Sequence, residues 1–290
     1  HAGRTAGGLM PLHTLNIVGA GRVGQTLAHQ WHQRGVFAVQ DVLTRSNASA
    51  LAACTRIGAG APQTALSALR FADVWMLAIP DAELPRCAAA LAAVQTAQAA
   101  PERPVIVFHC SGALGSEVLA PLAALGWLTA SAHCLLSFAQ IDTALAQFAG
   151  TPCALEGNAT ACERLQQAFA AIGAQCFALA GSDKLLYHAA AVFATNFLPV
   201  LQATAEDLWA RTGMPPPLVA HARTALLRNA VANITTLGPQ AALTGPAARG
   251  DRTAIERQGA AVAQWDPDAG AAYAALSTLA LRLASKKNSS

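Results

Sequence analysis

With 290 residues the chain is long enough for one large domain or two ordinary ones. Hydrophobic residues make up 53% and charged ones 12%, an apolar excess carried largely by alanine that favours closely packed helices over a bulky core. A net charge of +3 is too small to call for a nucleic acid or an anionic membrane as partner. The seven cysteines, an odd number without Cys-x-x-Cys spacing, indicate neither a metal site nor a disulfide framework and read as the reduced thiols of a cytoplasmic protein.

His1 to Leu9 is polar and glycine-rich, carries no secretory pattern and reads as a remnant, with Met10 the natural start. Leu15-Asn16-Ile17-Val18 reads as a short buried strand, and Arg22 to Arg34 as a helix with Val23, Leu27 and Trp31 at helical spacing. Between them stands Gly19-Ala20-Gly21-Arg22-Val23-Gly24. A Gly-x-Gly-x-x-Gly turn from strand to helix is the phosphate cradle of a dinucleotide site. Gly19 permits the tight turn, Gly21 lets the backbone approach a pyrophosphate, and Gly24 lets the helix pack on the strand; the N–H groups of the helix start then face the anion. Val39 to Thr44 is the second strand, whose end separates the two nicotinamide dinucleotides. An acidic residue there binds ribose hydroxyls; a basic one takes a 2′-phosphate. The strand runs out into Thr44, Arg45 and Ser46, and the planar donor fork of Arg45 suits a phosphate, so the expected cofactor is NADP(H). Asp41 lies inside the strand by this count; if the strand ended two residues sooner, Asp41 would argue for NAD instead.

A helix over 48–53 and a Gly/Pro/Ala loop lead to the apolar run Val74 to Ile79, a central parallel strand ended by Pro80. Ile79 and Pro80 then lie at the carboxyl edge of the sheet beside the cofactor. Asp81 caps a helix running to about Ala93. A strand over Val105–His109, the loop Cys110-Ser111-Gly112, a helix around 117–125 and a strand over Leu128–His133 follow. Strand Pro152–Leu155, helix Thr160–Ile172 and strand Gln175–Leu179 complete the alternation. The fold class is therefore α/β, an N-terminal doubly wound Rossmann-like sheet over residues 10–180. From 181 to 285 the chain reads as an all-helical domain. It opens with the glycine-free run Ser182–Arg211, about 45 Å long and kinked at Pro199; Leu218–Leu237, Arg252–Gln264 and Asp268–Ala284 follow. Lys184, His188, Asn196 and Pro199 in the longest apolar helix argue against a membrane span. The alanine-rich helices lead to the expectation of a homodimer through this domain.

His109, Ser111 and His133 fall at strand ends, hence on the ligand edge. Lys184 and His188 are four apart and share a helix face. An ammonium beside a carbonyl or imine can stabilise charge and deliver a proton while hydride reaches carbon. Cys110 and Cys134 have no His–Asn pair at a known spacing and read as core thiols. Arg249, on the turn Gly245 to Asp251, could clamp a substrate carboxylate; pairing with Asp251 or capping helices across a dimer interface fits equally.

The blocks Gly19–Gly24, His109–Gly112, Ser131–Phe138, Lys184–Phe197 and Ala242–Asp251 together resemble a bacterial family that joins a Rossmann-like NADP-oxidoreductase domain to a helical domain of unknown function. The resemblance runs from about Leu12 to Ala284. More distantly the chain is similar to the superfamily of β-hydroxyacid dehydrogenases, ketopantoate reductases and pyrroline-5-carboxylate reductases. It implies that the first domain holds the cofactor and that the helical domain closes a substrate cleft and often forms a dimer. It also implies that the loop Ser111-Gly112 lies near nicotinamide and substrate. Lys184 matches the lysine of the Lys-x-x-x-Asn motif of the hydroxyacid dehydrogenases, but His188 stands where that motif has asparagine, and Cys134 stands where most of the family has proline after its histidine. Asn196 could supply the amide, although a regular helix points it about 120° from Lys184. The expected function is an NADPH-dependent reductase of a small oxo acid or imine. Lys184 is its proton donor, with His188, His133 and Ser111 around it and Asn196 and Arg249 on the substrate. The alternative is a dinucleotide-binding sensor or regulatory protein without turnover.

Overall fold

The computed structural model describes residues 13–96 and 103–286, so the reading of the first nine residues and of Met10 lies outside the described residues. Among the described residues eight strands form one sheet: β1 (Thr14–Val18), β2 (Ala38–Leu43), β3 (Ala61–Gln63), β4 (Val74–Leu77), β5 (Ile106–His109), β6 (Leu128–Cys134), β7 (Pro152–Gly157) and β8 (Gln175–Ala178). Their order is β3-β2-β1-β4-β5-β6-β7-β8, parallel throughout except where β7 runs antiparallel to β6. The chain leaves β1 in one direction for β2 and β3 and returns to its other side for β4. The carboxyl ends of β1 and β4 therefore flank a topological switch point, where open α/β sheets bind ligands.

The connecting helices are α1 (Arg22–Gln33), α2 (Asn47–Ile57), α3 (Leu84–Thr96), α4 (Ala120–Ala123), α5 (Ile141–Gln147) and α6 (Ala159–Ala171). They cover both sheet faces, and the strands alternate accordingly. Met76 and Phe108 point into one core with Leu15, Ile17 and Trp31; Trp75, Leu77 and Val107 point into the other with Leu84, Leu91 and Trp127. Trp31 is fully buried, stacks edge-on against Phe37, Phe108 and Phe169, and donates its indole N–H to the carbonyl of Ala168 at 2.9 Å.

Several elements depart from the expected boundaries. The Gly/Pro/Ala loop contains β3, an edge strand where Pro62 costs no interior ladder bond. Asp81 does not cap a helix. It opens a 3-10 turn, Asp81–Glu83, ahead of α3, and its carboxylate accepts the Ser111 hydroxyl instead. The helix α5 interrupts a stretch that carries no strong periodicity. The long run after residue 181 is not one regular helix: α7 (Lys184–Ala191) passes through a π-helical turn, Val192–Asn196, into α8 (Phe197–Arg211). The wider turn lies just ahead of Pro199, whose ring would otherwise collide with the carbonyl four residues back.

The chain divides into two compact units, residues up to Val192 and residues from Phe193 on. The second contains α8, α9 (Pro216–Ala242), α10 (Arg252–Trp265) and α11 (Pro267–Lys286). α9 breaks at Gly238, where φ is 77° and Pro239 follows. Val219 is the one buried hydrophobic side chain among the described residues of this unit, whereas Phe193, Val200, Leu218 and Leu237 are more than half exposed.

Candidate cofactor cleft and active site

The switch point opens into a cavity of about 710 Å³. Its walls come from the glycine turn (Gly19, Ala20, Gly21), from the end of β2 (Leu43, Thr44, Arg45) and from the end of β4 (Ala78, Ile79, Pro80), with Ser49, Thr64, Glu83 and Arg86 among the remaining lining residues. The three glycines do separate jobs. Gly19 has φ 84°, and a Cβ there would fall 2.6 Å from the Ala78 carbonyl oxygen. A Cβ on Gly24 would fall 2.8 Å from the Gly19 oxygen and 3.2 Å from the Ala78 methyl, so Gly24 serves packing. Gly21 has nothing within 4 Å of that position and presents bare backbone to open space. It is also the N-cap of α1, with no side-chain cap and no acid in the first turn, which leaves the first amides for an anion.

Arg22, Val23 and Gly24 belong to α1 and are not among the lining residues; neither is Ser46, whose hydroxyl caps α2 by accepting the Ser49 N–H. Asp41 is fully buried inside β2. Its carboxylate accepts from the Arg70 side chain at 2.7 Å and backbone N–H at 2.8 Å, so it faces Arg70 rather than this cavity. Arg86 is not among the residues expected from the sequence, although Glu83, Arg86, Cys87 and Ala90 recur at helical spacing on one face running from the 3-10 turn into α3.

Pro80 leads into Asp81, and Asp81 ties the cleft to a second cluster. The Ser111 hydroxyl donates to Asp81 Oδ2 at 2.7 Å while accepting the N–H groups of Ala113 and Leu114. His109 shapes the same loop. Its Nδ1 accepts the Ser111 N–H, which leaves the proton on Nε2 to be donated to the Gly115 carbonyl at 2.9 Å. Burial holds the His109 pKa below the ordinary value, in keeping with that neutral tautomer. Lys184, 1% exposed, donates to the Ser111 carbonyl at 3.1 Å and the Ser131 hydroxyl at 2.9 Å. Burial lowers its pKa, opposed by the charges of Glu156, Glu117 and Asp81.

His133 Nδ1 shares a hydrogen bond of 2.9 Å with the Tyr187 hydroxyl, and burial, followed by the charges of His188 and Lys184, pulls its pKa down to about 4. His133 Nε2 and His188 Nδ1 converge on Gly112, where a Cβ would lie 2.8 Å and 2.5 Å from them. His188 Nδ1 is buried without a hydrogen-bond partner.

The structure thus brings Ser111, His133, Lys184 and His188 together around Gly112. Asn196 and Arg249 belong to the second unit. Asn196 Oδ1 accepts the Thr195 hydroxyl at 3.0 Å. Arg249 lines a cavity of about 300 Å³ with Gln240 and Arg252, while Asp251 caps α10 by accepting the Ala254 N–H. Burial raises the thiol pKa of Cys110, and hydrogen bonding with Cys134 and Cys176, ahead of burial, raises that of Cys153. Among the described residues no group of three or more His, Cys, Asp or Glu side chains is placed to hold a metal ion. The sequence reading passed over Glu156 and Tyr187. Glu156 carried a signal, as a lone charge in the apolar run Cys153-Ala154-Leu155.

Residues 5–134 match a Rossmann-like domain and residues 151–280 match a domain of unknown function, DUF2520. No curated protein sequence matches this chain. Among solved structures, a protein from Thermotoga maritima superposes with a TM-score of 0.73 at 22% identity, covering 94% of this chain and 99% of its own. A candidate NADP oxidoreductase from Bacteroides fragilis gives 0.70 at 19% identity, covering 93% and 98%. Pyrroline carboxylate reductase from Plasmodium falciparum, with NADP bound, gives 0.55 at 11% identity, covering 95% and 99%. At these identities the likeness is one of fold.

The depressed His133 pKa has a consequence for stability. The unfolded chain takes up this proton near pH 6.5 and the folded chain only near pH 4. Between those values the unfolded state binds more protons, so stability falls as pH drops through that window. His133→Gln is expected to flatten the fall by about 2–3 kcal/mol, read as urea-unfolding free energy at pH 7 and pH 4.5. Identical pH slopes in both proteins would show that His133 protonates freely in the folded state.

Proposed function

The chain joins a Rossmann-like domain to a DUF2520 domain, and on that premise we propose that it is an NADPH-dependent oxidoreductase reducing a small oxo acid or imine. The observation that carries the reading is the Asp81–Ser111 hydrogen bond, which couples the wall of the cavity at Gly19–Gly21 to the cluster around Gly112. The Gly19-Ala20-Gly21 backbone would hold the pyrophosphate. Arg45, with Ser49 and Arg86 on the same walls, would hold the 2′-phosphate. The bound cofactor supplies the hydride. Lys184 is the proton donor in this reading: burial makes it a stronger acid than an exposed lysine, and two of its three N–H bonds are spent on Ser111 and Ser131. His188 and His133, facing Gly112, hold or relay the proton. Neighbours of this fold that carry the names NADP oxidoreductase and pyrroline carboxylate reductase support the choice of hydride chemistry.

A dinucleotide-binding protein without turnover is the second reading. It is favoured by the internal hydrogen bonds that already occupy the Ser111 hydroxyl and the Lys184 ammonium. Incubation with 4-deuterated NADPH and a panel of oxo acids and imines separates the two. Deuterium on a product carbon is expected, and Lys184→Ala should slow its appearance roughly 10²–10⁴-fold while NADPH still binds. No transfer to any panel member would favour the second reading.

Cofactor choice is tested by calorimetry. Arg45→Asp should weaken NADPH by roughly 1.5–3 kcal/mol and NADH far less. Equal weakening of both would remove Arg45 from the 2′-phosphate.

We also propose a homodimer through the helical unit. The helical run Gly181–Arg211 is long and apolar enough to cross a bilayer, with a mean hydropathy of 1.3. We read it as an interface helix because its first turn is anchored in the sheet unit by Lys184. A unit with one buried apolar side chain among its described residues gains its core by association. Light scattering at micromolar concentration is expected to give twice the 29.7 kDa chain mass; a monomer would contradict the proposal.

A further inference from the structure

Glu156 has no part in the chemistry proposed above, yet it is the most heavily bonded carboxylate at this edge of the sheet. Its Oε2 accepts the Ser116 N–H at 2.7 Å and the Ser131 hydroxyl at 3.0 Å, and its Oε1 accepts the Ser116 hydroxyl at 2.8 Å. It stands directly opposite Ser131 in the antiparallel register of β6 and β7. A serine hydroxyl has one proton to give. Ser131 gives its proton to Glu156, so its lone pairs are left to accept from Lys184 Nζ at 2.9 Å. The carboxylate thereby sets the direction of every bond from itself to the ammonium.

We propose that Glu156 is a positioning residue for Lys184: through Ser131 it holds the ammonium against the Ser111 carbonyl and keeps it charged.

The titratable groups facing Lys184 come from each neighbouring element. Glu156 and Cys153 lie on β7, His133 on β6, His109 at the end of β5 and Cys110 just after it; Glu117 lies in the following 3-10 turn and Asp81 in the turn after β4. Of the three carboxylates, Glu156 is joined to the ammonium by a single hydroxyl and is the largest electrostatic counterweight to burial. Asp81 reaches it only through the Ser111 residue. The catalytic consequence rests on the oxidoreductase reading; the positioning itself does not.

Lys184, Lys286 and Lys287 are the lysines of the chain, so lysine-selective ¹³C labelling yields three Cε signals, and Lys184→Arg identifies the one that matters. Glu156→Gln is expected to lower the proton affinity of Lys184 roughly tenfold or more, because an opposite charge is lost near a buried ammonium. Ser131→Ala should move it in the same direction, and Glu156→Asp should restore it in part. With a substrate in hand, the basic limb of the kcat profile of Glu156→Gln should move to lower pH with KM little changed. A Lys184 titration unmoved in folded Glu156→Gln would overturn the proposal; if that variant fails to fold, an unmoved titration in Ser131→Ala does so. A protein that binds NADPH without turnover loses the kinetic arm but keeps the titration arm, so the two failures are distinguishable.

Discussion

A buried ammonium must be met by acceptors, and meeting Lys184 organises the edge of the sheet where β5, β6 and β7 come together. Its two hydrogen bonds reach the loop after β5 and a side chain of β6; the next bond in the chain crosses to Glu156 on β7. The antiparallel strand thereby has a task beyond widening the sheet, since its register puts a carboxylate opposite Ser131. On the other side of the loop, Ser111 reaches Asp81, which follows Pro80 on the wall of the cavity at Gly19–Gly21. Removal of the ammonium would leave Ser111 and Ser131 short of a donor in a region closed to water.

In the proposed reading, the phosphate end of the cleft depends on backbone and the reactive end on side chains. Around Gly19–Gly24 the decisive feature is the absence of side chains: a positive φ at Gly19, close packing at Gly24 and open space at Gly21. Around Gly112 the decisive feature is crowding by two imidazoles, which only a residue without Cβ admits. Both ends use glycine, for opposite reasons, and the turn Ile79-Pro80-Asp81 connects them.

Much of the sheet was legible in the sequence because central parallel strands are covered on both faces and read as continuous apolar runs, as Val74–Ile79 and Val105–Phe108 do. Ala61-Pro62-Gln63 offers no such run, so β3 was hidden, and α5 lacks strong periodicity. The glycine turn was legible because its spacing follows from what each position must accommodate. The partners of Lys184 were not. Ser131 and Glu156 meet through the register of two antiparallel strands, a distance of 25 residues along the chain that no local pattern encodes. Asp81 reads locally as a helix cap, yet its carboxylate goes to Ser111 across the sheet edge. Arg86 is legible only where the 3-10 turn at Glu83 and the start of α3 put Glu83, Arg86 and Ala90 on one face turned to the cavity.

The most direct test of the coupling between cleft and cluster is amide hydrogen exchange with and without NADPH. If the cofactor lies against Gly19–Gly21 and its wall is tied through Asp81 to Ser111, exchange should slow at residues 19–24, 44–49 and 78–81, and also in the loop 110–116. Protection confined to other regions, or none at saturating NADPH, would contradict the assignment of this cavity as the cofactor site.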